Sequence, residues 1–80
     1  MAILWSAETL SALEAQGIEP SLVQRALADP DEVAPGPPAV HTLRYWDTAQ
    51  NREMWLRVRV ATGDGGVTIL GAEKQPVYPD

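Results

Sequence analysis

Alternation of apolar and polar residues dominates the second half of this sequence and limits the folds that it can adopt. From Val40 the repeat has a period of two, which is typical of β-strands with one buried face. It predicts strands at 41–46 and 54–61, joined by the loop 48–51, and a third strand at 67–72 after the glycine-rich turn 63–66. The sequence therefore predicts a three-stranded antiparallel meander.

Pairing the first two strands across their four-residue loop separates the side chains onto two faces. Opposed residues share a face, so Leu43 should lie against Leu56 and Arg44 against Trp55. One face collects apolar residues for a core, which are Leu43, Tyr45, Met54, Leu56, Val58 and Val60. The other face collects arginine and tryptophan, which are Arg44, Trp46, Trp55, Arg57 and Arg59.

Two helix patterns precede the meander. Ser6 is a favourable N-cap for a first helix at 7–16, and Gly17 supplies the left-handed residue that ends it. The apolar stripe of this helix consists of Ala7, Leu10 and Leu13. Pro20 suits the first turn of a second helix, which ends at Asp29-Pro30. With a short strand at 3–5, the fold class is α+β: an N-terminal strand, two helices and the meander.

The length of 80 residues and the absence of cysteine indicate one small domain without disulfides or thiolate chemistry. We divide domain 1–80 into a helical half (1–32), a proline-rich connector (33–39), an antiparallel sheet (40–74) and an extended tail (75–80). A core of this size gives marginal stability alone, which favours a homodimer.

Charge and hydropathy narrow the classes of function. All of the net charge of -5 lies in residues 1–32, which contain six acidic residues and one basic residue, Arg25. The overall charge therefore disfavours DNA binding. No apolar run is long enough to cross a membrane and no signal sequence is present, so we expect a cytoplasmic protein. The acids at 29–32 lack calcium-loop spacing and the turn 63–66 lacks a phosphate-loop lysine, so no metal or cofactor is expected.

The arginine and tryptophan face has three interpretations from sequence. Guanidinium groups bind phosphate and indoles stack on bases, which favours RNA binding through Arg44, Arg57 and Arg59. Trp46 and Trp55 alternatively form an interface with a protein partner or a second copy. The third interpretation is a solvated sheet face whose indoles are covered by arginine stems.

The order of elements resembles a known family. It comprises a short strand at 3–5, a helix ending Gly17-Ile18, a helix ending Asp29-Pro30, an Arg44-Tyr45 strand and the strands 56–60 and 67–72. This arrangement resembles the BrnT-like small bacterial toxins, which share a RelE-type ribonuclease fold. The resemblance implies an mRNA-cleaving toxin that is held inactive by an antitoxin. The candidate catalytic residues are His41, Arg44, Lys74 and Tyr78, of which only Arg44 matches the family pattern directly. From their residue types, His41 or Tyr78 is the proton-transfer candidate and Lys74 a further phosphate-binding candidate; the alternative is an exposed histidine and two residues that only pack or face solvent.

Several basic positions of the family pattern are replaced in this sequence. Ala12, Ala15 and Gln16 stand where BrnT-like chains have Asn, Lys and His, and Glu73 stands where they have Arg. RelE-type cleavage depends on basic side chains that neutralise charge developing on the phosphate. Two expectations therefore follow: a ribonuclease-like toxin module that binds RNA, or a non-catalytic interaction module with the same fold.

Overall fold

The computed structural model describes residues 3–63 and 65–78 and contains two helices and one mixed sheet. The elements are β1 (Ile3–Leu4), α1 (Ala7–Ala15), α2 (Pro20–Ala28), β2 (Glu32–Ala34), β3 (Ala39–Asp47), β4 (Arg52–Gly63) and β5 (Gly66–Pro76). The five strands follow the order β1-β5-β4-β3-β2. β1 is parallel to β5, and the other neighbours are antiparallel. The predicted α+β class is confirmed.

The sheet is larger than the sequence predicted. β2 occupies the start of the segment that we expected to be a connector, because the residue before Pro35 is biased towards an extended backbone. β5 continues to Pro76 and so includes the first residues of the expected tail. Its additional residues pair with β4, where Gln75 lies opposite Trp55. A three-stranded meander is therefore an incomplete description of the sheet.

Local capping signals set the bounds of the first helix. The Ser6 side chain accepts a hydrogen bond from the Thr9 backbone N–H at 3.0 Å. At the other end, Ile18 N–H donates to the Leu13 carbonyl at 2.9 Å and Gly17 N–H donates to the Glu14 carbonyl at 3.0 Å. These two bonds form a Schellman motif, which requires a left-handed residue at Gly17. Its φ of 71° confirms that prediction.

Gly17→Val is expected to lower the free energy of unfolding by about 1 to 2 kcal/mol, because a β-branched residue tolerates the left-handed conformation poorly. An added Cβ would also lie 3.4 Å from Lys74 Nζ, so the strain would add to ordinary contact with that lysine. Urea unfolding followed by circular dichroism measures the change. Gly17→Asn is the control, since asparagine adopts this conformation more readily. Equal losses in both variants would contradict the assigned cap.

Both helices pack against one face of the sheet, α1 on β5 and α2 on β3 and β4. The buried apolar residues of this core include Leu13, Ile18, Val23, Ala26, Leu27, Leu43, Leu56, Val58, Val60, Val67, Ile69 and Ala72. The predicted core face of β3 and β4 is thus confirmed. The predicted α1 stripe is wrong at two of its three positions, because Ala7 and Leu10 are exposed and only Leu13 of that helix is buried. No helix among the described residues has the length and apolarity to span a bilayer.

Candidate functional site

Among the described residues, no helix packs on the second face of the sheet, which we call the outer face. The strand register assigns to it charged, glutamine and tryptophan residues from four strands, which are Glu32, Arg44, Trp46, Glu53, Trp55, Arg57, Arg59, Glu73 and Gln75. Five of these nine residues are the arginines and tryptophans that the alternating pattern had placed on one face. The other four are Glu32, Glu53, Glu73 and Gln75. The predicted grouping of these five residues is therefore confirmed, and the acids are additional.

Each arginine of the outer face is hydrogen-bonded to a side chain on the neighbouring strand. Arg44 Nε donates to Glu53 Oε2. Arg57 Nη1 donates to Gln75 Oε1 at 2.6 Å, and Arg59 Nη1 donates to Glu73 Oε1 at 2.5 Å. The face carries three glutamates, Glu32, Glu53 and Glu73, whose negative charge balances that of the three arginines. Phosphate would have to compete with these partners, which weakens the electrostatic attraction for RNA.

Aromatic side chains gather around Arg44 at one end of the outer face. The Arg44 guanidinium carbon lies 5.7 Å from the ring centroids of both Trp55 and Tyr78. Arg44 Nη2 also donates to the Tyr78 hydroxyl at 3.0 Å. Trp46, on the same face, is 56% exposed, and Tyr78 is 67% exposed. We call Arg44, Trp46, Trp55 and Tyr78 the aromatic end.

The hydrogen bonds of Arg44 also favour the charged form of its guanidinium group. The bond to Glu53, followed by the bond to Tyr78, raises the pKa of the Arg44 guanidinium above its ordinary value. The guanidinium, which is a cation in any protein, lies close to both rings, an arrangement that cation–π attraction favours. Such a cluster can stack on an aromatic or planar group, or bind an anion if Glu53 is displaced.

The residues expected to form a catalytic set lie on different faces. Arg44 and Tyr78 are adjacent on the outer face. His41 pairs with Val58, and Lys74 pairs with Leu56, so both belong to the helix-covered face. His41 Nδ1 is buried without a hydrogen-bond partner among the described residues. The structure therefore divides the four predicted catalytic residues into two pairs instead of bringing them into one pocket.

Asp47 is a residue that the sequence analysis missed. It is 8% exposed, and its Oδ1 accepts hydrogen bonds from the backbone N–H groups of Ala49 at 2.9 Å and Gln50 at 3.2 Å. Its Oδ2 lies 3.4 Å from Lys74 Nζ. Burial alone would raise the pKa of Asp47, but these N–H groups and Lys74 outweigh burial and hold it below its ordinary value. An aspartate at the start of a four-residue loop is a signal for this turn.

Lys74 is consequently a structural partner of the β3–β4 loop in this structure. Its amino group is mostly shielded, with the side chain 17% exposed, and it is directed at Asp47 and not at the outer face. Within residues 3–63 and 65–78, no group of three histidine, aspartate or glutamate side chains is placed to hold a metal ion.

Comparison with known proteins found no matching family model, no matching curated protein and no matching solved structure. The resemblance to BrnT-like toxins stays a prediction that depends on the sequence pattern.

Proposed function

We propose that this chain is a non-catalytic interaction module and that its outer face binds a second copy of the chain. The observation that carries the proposal is the aromatic end, where Arg44 lies 5.7 Å from two ring centroids and Trp46 is 56% exposed. Tryptophan, tyrosine and arginine are the residue types that dominate the binding energy of protein interfaces. An exposed cluster of all three is suited to docking.

The charge of the outer face supports a second copy of the chain as its binding partner. The outer face carries three arginines and three glutamates, so it has no net charge that would repel a second copy across a twofold axis. A strongly acidic or basic partner would find no matching excess of charge there. The short chain also gains more from self-association than a large protein would, because a small domain buries a smaller share of its surface when it folds alone.

An RNA-binding toxin module is the second candidate function. The contact of 3.0 Å between Arg44 and the Tyr78 hydroxyl favours it, since a cation and a proton donor are then adjacent on an open face. If the chain binds RNA, a phosphate group must displace Glu53 from Arg44. The order of strand, two helices and antiparallel strands supports the RelE-type fold that both candidates assume. If the chain is a BrnT-like toxin, an antitoxin would be its protein partner instead of a second copy.

Trp46→Ala is expected to weaken self-association by about 2 kcal/mol, the typical loss for an aromatic anchor at an interface. Sedimentation velocity over a concentration series measures the monomer–dimer equilibrium. Leu10→Ala is the matched control, because Leu10 is 39% exposed but lies on α1, on the helix-covered side of the sheet. It should leave the dimerisation constant unchanged.

A chain that stays monomeric at every concentration would overturn the proposed self-association. In that case RNA binding at low salt decides for or against the second candidate. Binding that falls by roughly one power of salt concentration per phosphate contact, and that Arg44→Ala abolishes, would support an RNA-binding module. Absence of both self-association and RNA binding would exclude both functions of the outer face.

A further inference from the structure

An exposed leucine in the helical layer has no role in the core or in the outer face. Leu10 is 39% exposed although it belongs to the apolar stripe of α1. It lines a cleft of about 440 Å³ between the end of α1 and the start of α2. The remaining lining residues are Glu14, Gly17, Ile18, Glu19 and Pro20. The exposed apolar surface of the cleft is therefore formed mainly by Leu10 and Pro20, because Ile18 is buried in the core beneath them.

Two acidic side chains line this apolar cleft. Glu14 and Glu19 are both exposed, and neither forms an ion pair with a described residue. They lie in the part of the sequence, residues 1–32, that carries the whole net charge of the chain. In contrast to the outer face, where arginines balance glutamates, the residues that line this cleft include two acids and no base.

We propose that the cleft binds a basic amphipathic segment of a protein partner. An apolar side chain of that segment would pack against Leu10 and Pro20, removing their exposed surface from water. Lysine or arginine residues flanking it would pair with Glu14 and Glu19, which adds specificity and speeds association. An amphipathic helix with apolar residues on one face and cations beside them has this pattern. The outer face, on the other side of the sheet, stays free.

The test uses a fluorescein-labelled amphipathic peptide of lysine and leucine and measures its anisotropy on titration with the full chain. Peptides of matched length with glutamate in place of lysine, or serine in place of leucine, are the ligand controls. The lysine–leucine peptide should bind at least ~10-fold more tightly than either, because one control lacks the charge and the other the apolar anchor. Equal binding of the lysine–serine peptide would overturn the proposal, since bulk charge alone would then explain the interaction.

Leu10→Ser should weaken binding of the lysine–leucine peptide by ~10-fold, because it removes the apolar surface of the cleft. Leu70→Ser is the matched control: it also replaces a half-exposed leucine, 50% exposed, but on β5. An unchanged affinity for Leu10→Ser, or an equal loss in both variants, would contradict the proposed site.

Charge variants test the same site without altering its apolar surface. Glu14→Gln and Glu19→Gln should each weaken peptide binding several-fold, and together they should flatten its salt dependence. Glu8→Gln is the control, because Glu8 is an exposed acid of α1 that does not line this cleft. Equal effects of the three substitutions would show that the peptide responds to the overall charge of the helical half, and would overturn the proposal.

Discussion

Leu56→Ala is expected to lower the free energy of unfolding by about 4 kcal/mol, because it removes a fully buried side chain and leaves a cavity. Leu56 is 0% exposed and lies on β4, between Leu43 on β3 and Lys74 on β5. A small domain typically has about 5 to 15 kcal/mol of stability in total, so this loss is a large share. Urea unfolding followed by tryptophan fluorescence measures it.

Leu70→Ala provides the control for this substitution. Leu70 is 50% exposed, so the same chemical change should cost less than about 0.5 kcal/mol. The slope of unfolding free energy against urea concentration should be unchanged in both variants, because neither alters the amount of surface exposed on unfolding. Equal losses at the two leucines would contradict the assignment of Leu56 to the centre of the core.

The features that the sequence predicted correctly depend on local signals. A repeat of two residues together with a four-residue loop fixes the pairing of β3 with β4, since a shift by one residue would bury arginines in the core. Arg44 opposite Trp55 follows from that rule alone. In the same way, Gly17 predicts the end of α1 because few other residues adopt its φ of 71°.

The features that the sequence did not predict depend on pairing between distant segments. β2 has three residues, too few for a periodic pattern, and it is a strand because Glu32–Ala34 pairs with β3. The continuation of β5 through Pro76 likewise depends on β4. The exposure of Leu10 reflects how α1 lies on the sheet, because a helical stripe identifies apolar positions but not how fully the neighbouring elements cover each one.

The candidate site shows the same division. Alternation predicted which arginines and tryptophans share the outer face, but their partners Glu53, Glu73 and Gln75 emerge only from the register and from side-chain direction. The separation of His41 from Arg44 was accessible from sequence, since His41 alternates in phase with the buried Leu43. The two residues were grouped by their chemical type, histidine as a proton-transfer group and arginine as a phosphate-binding group, and residue type carries no information about faces.

Removal of the ion pair between Asp47 and Lys74 is also expected to destabilise the fold strongly. Asp47→Ala should lower the free energy of unfolding by about 3 kcal/mol, because it leaves Lys74 and two loop N–H groups without their charged acceptor. Urea unfolding at neutral pH measures this change. Asp29→Ala is the control, since Asp29 is exposed and its side chain makes no hydrogen bond with the described residues. A loss at Asp47 no greater than that at Asp29 would contradict the role of the buried carboxylate.

The pH dependence of this contribution follows from the direction of the Asp47 pKa shift. Its pKa in the folded protein lies below the ordinary value of 3.8, so the ionised carboxylate stabilises the fold above that value. The contribution is lost as pH falls through the lowered pKa. Wild-type stability should therefore decline as pH falls below about 4, and Asp47→Asn, which keeps a side-chain oxygen but cannot ionise, should decline less. Thermal unfolding measured at intervals between neutral and acidic pH tests this, and parallel curves for the two proteins would contradict it, because the carboxylate would then titrate alike in the folded and unfolded chain.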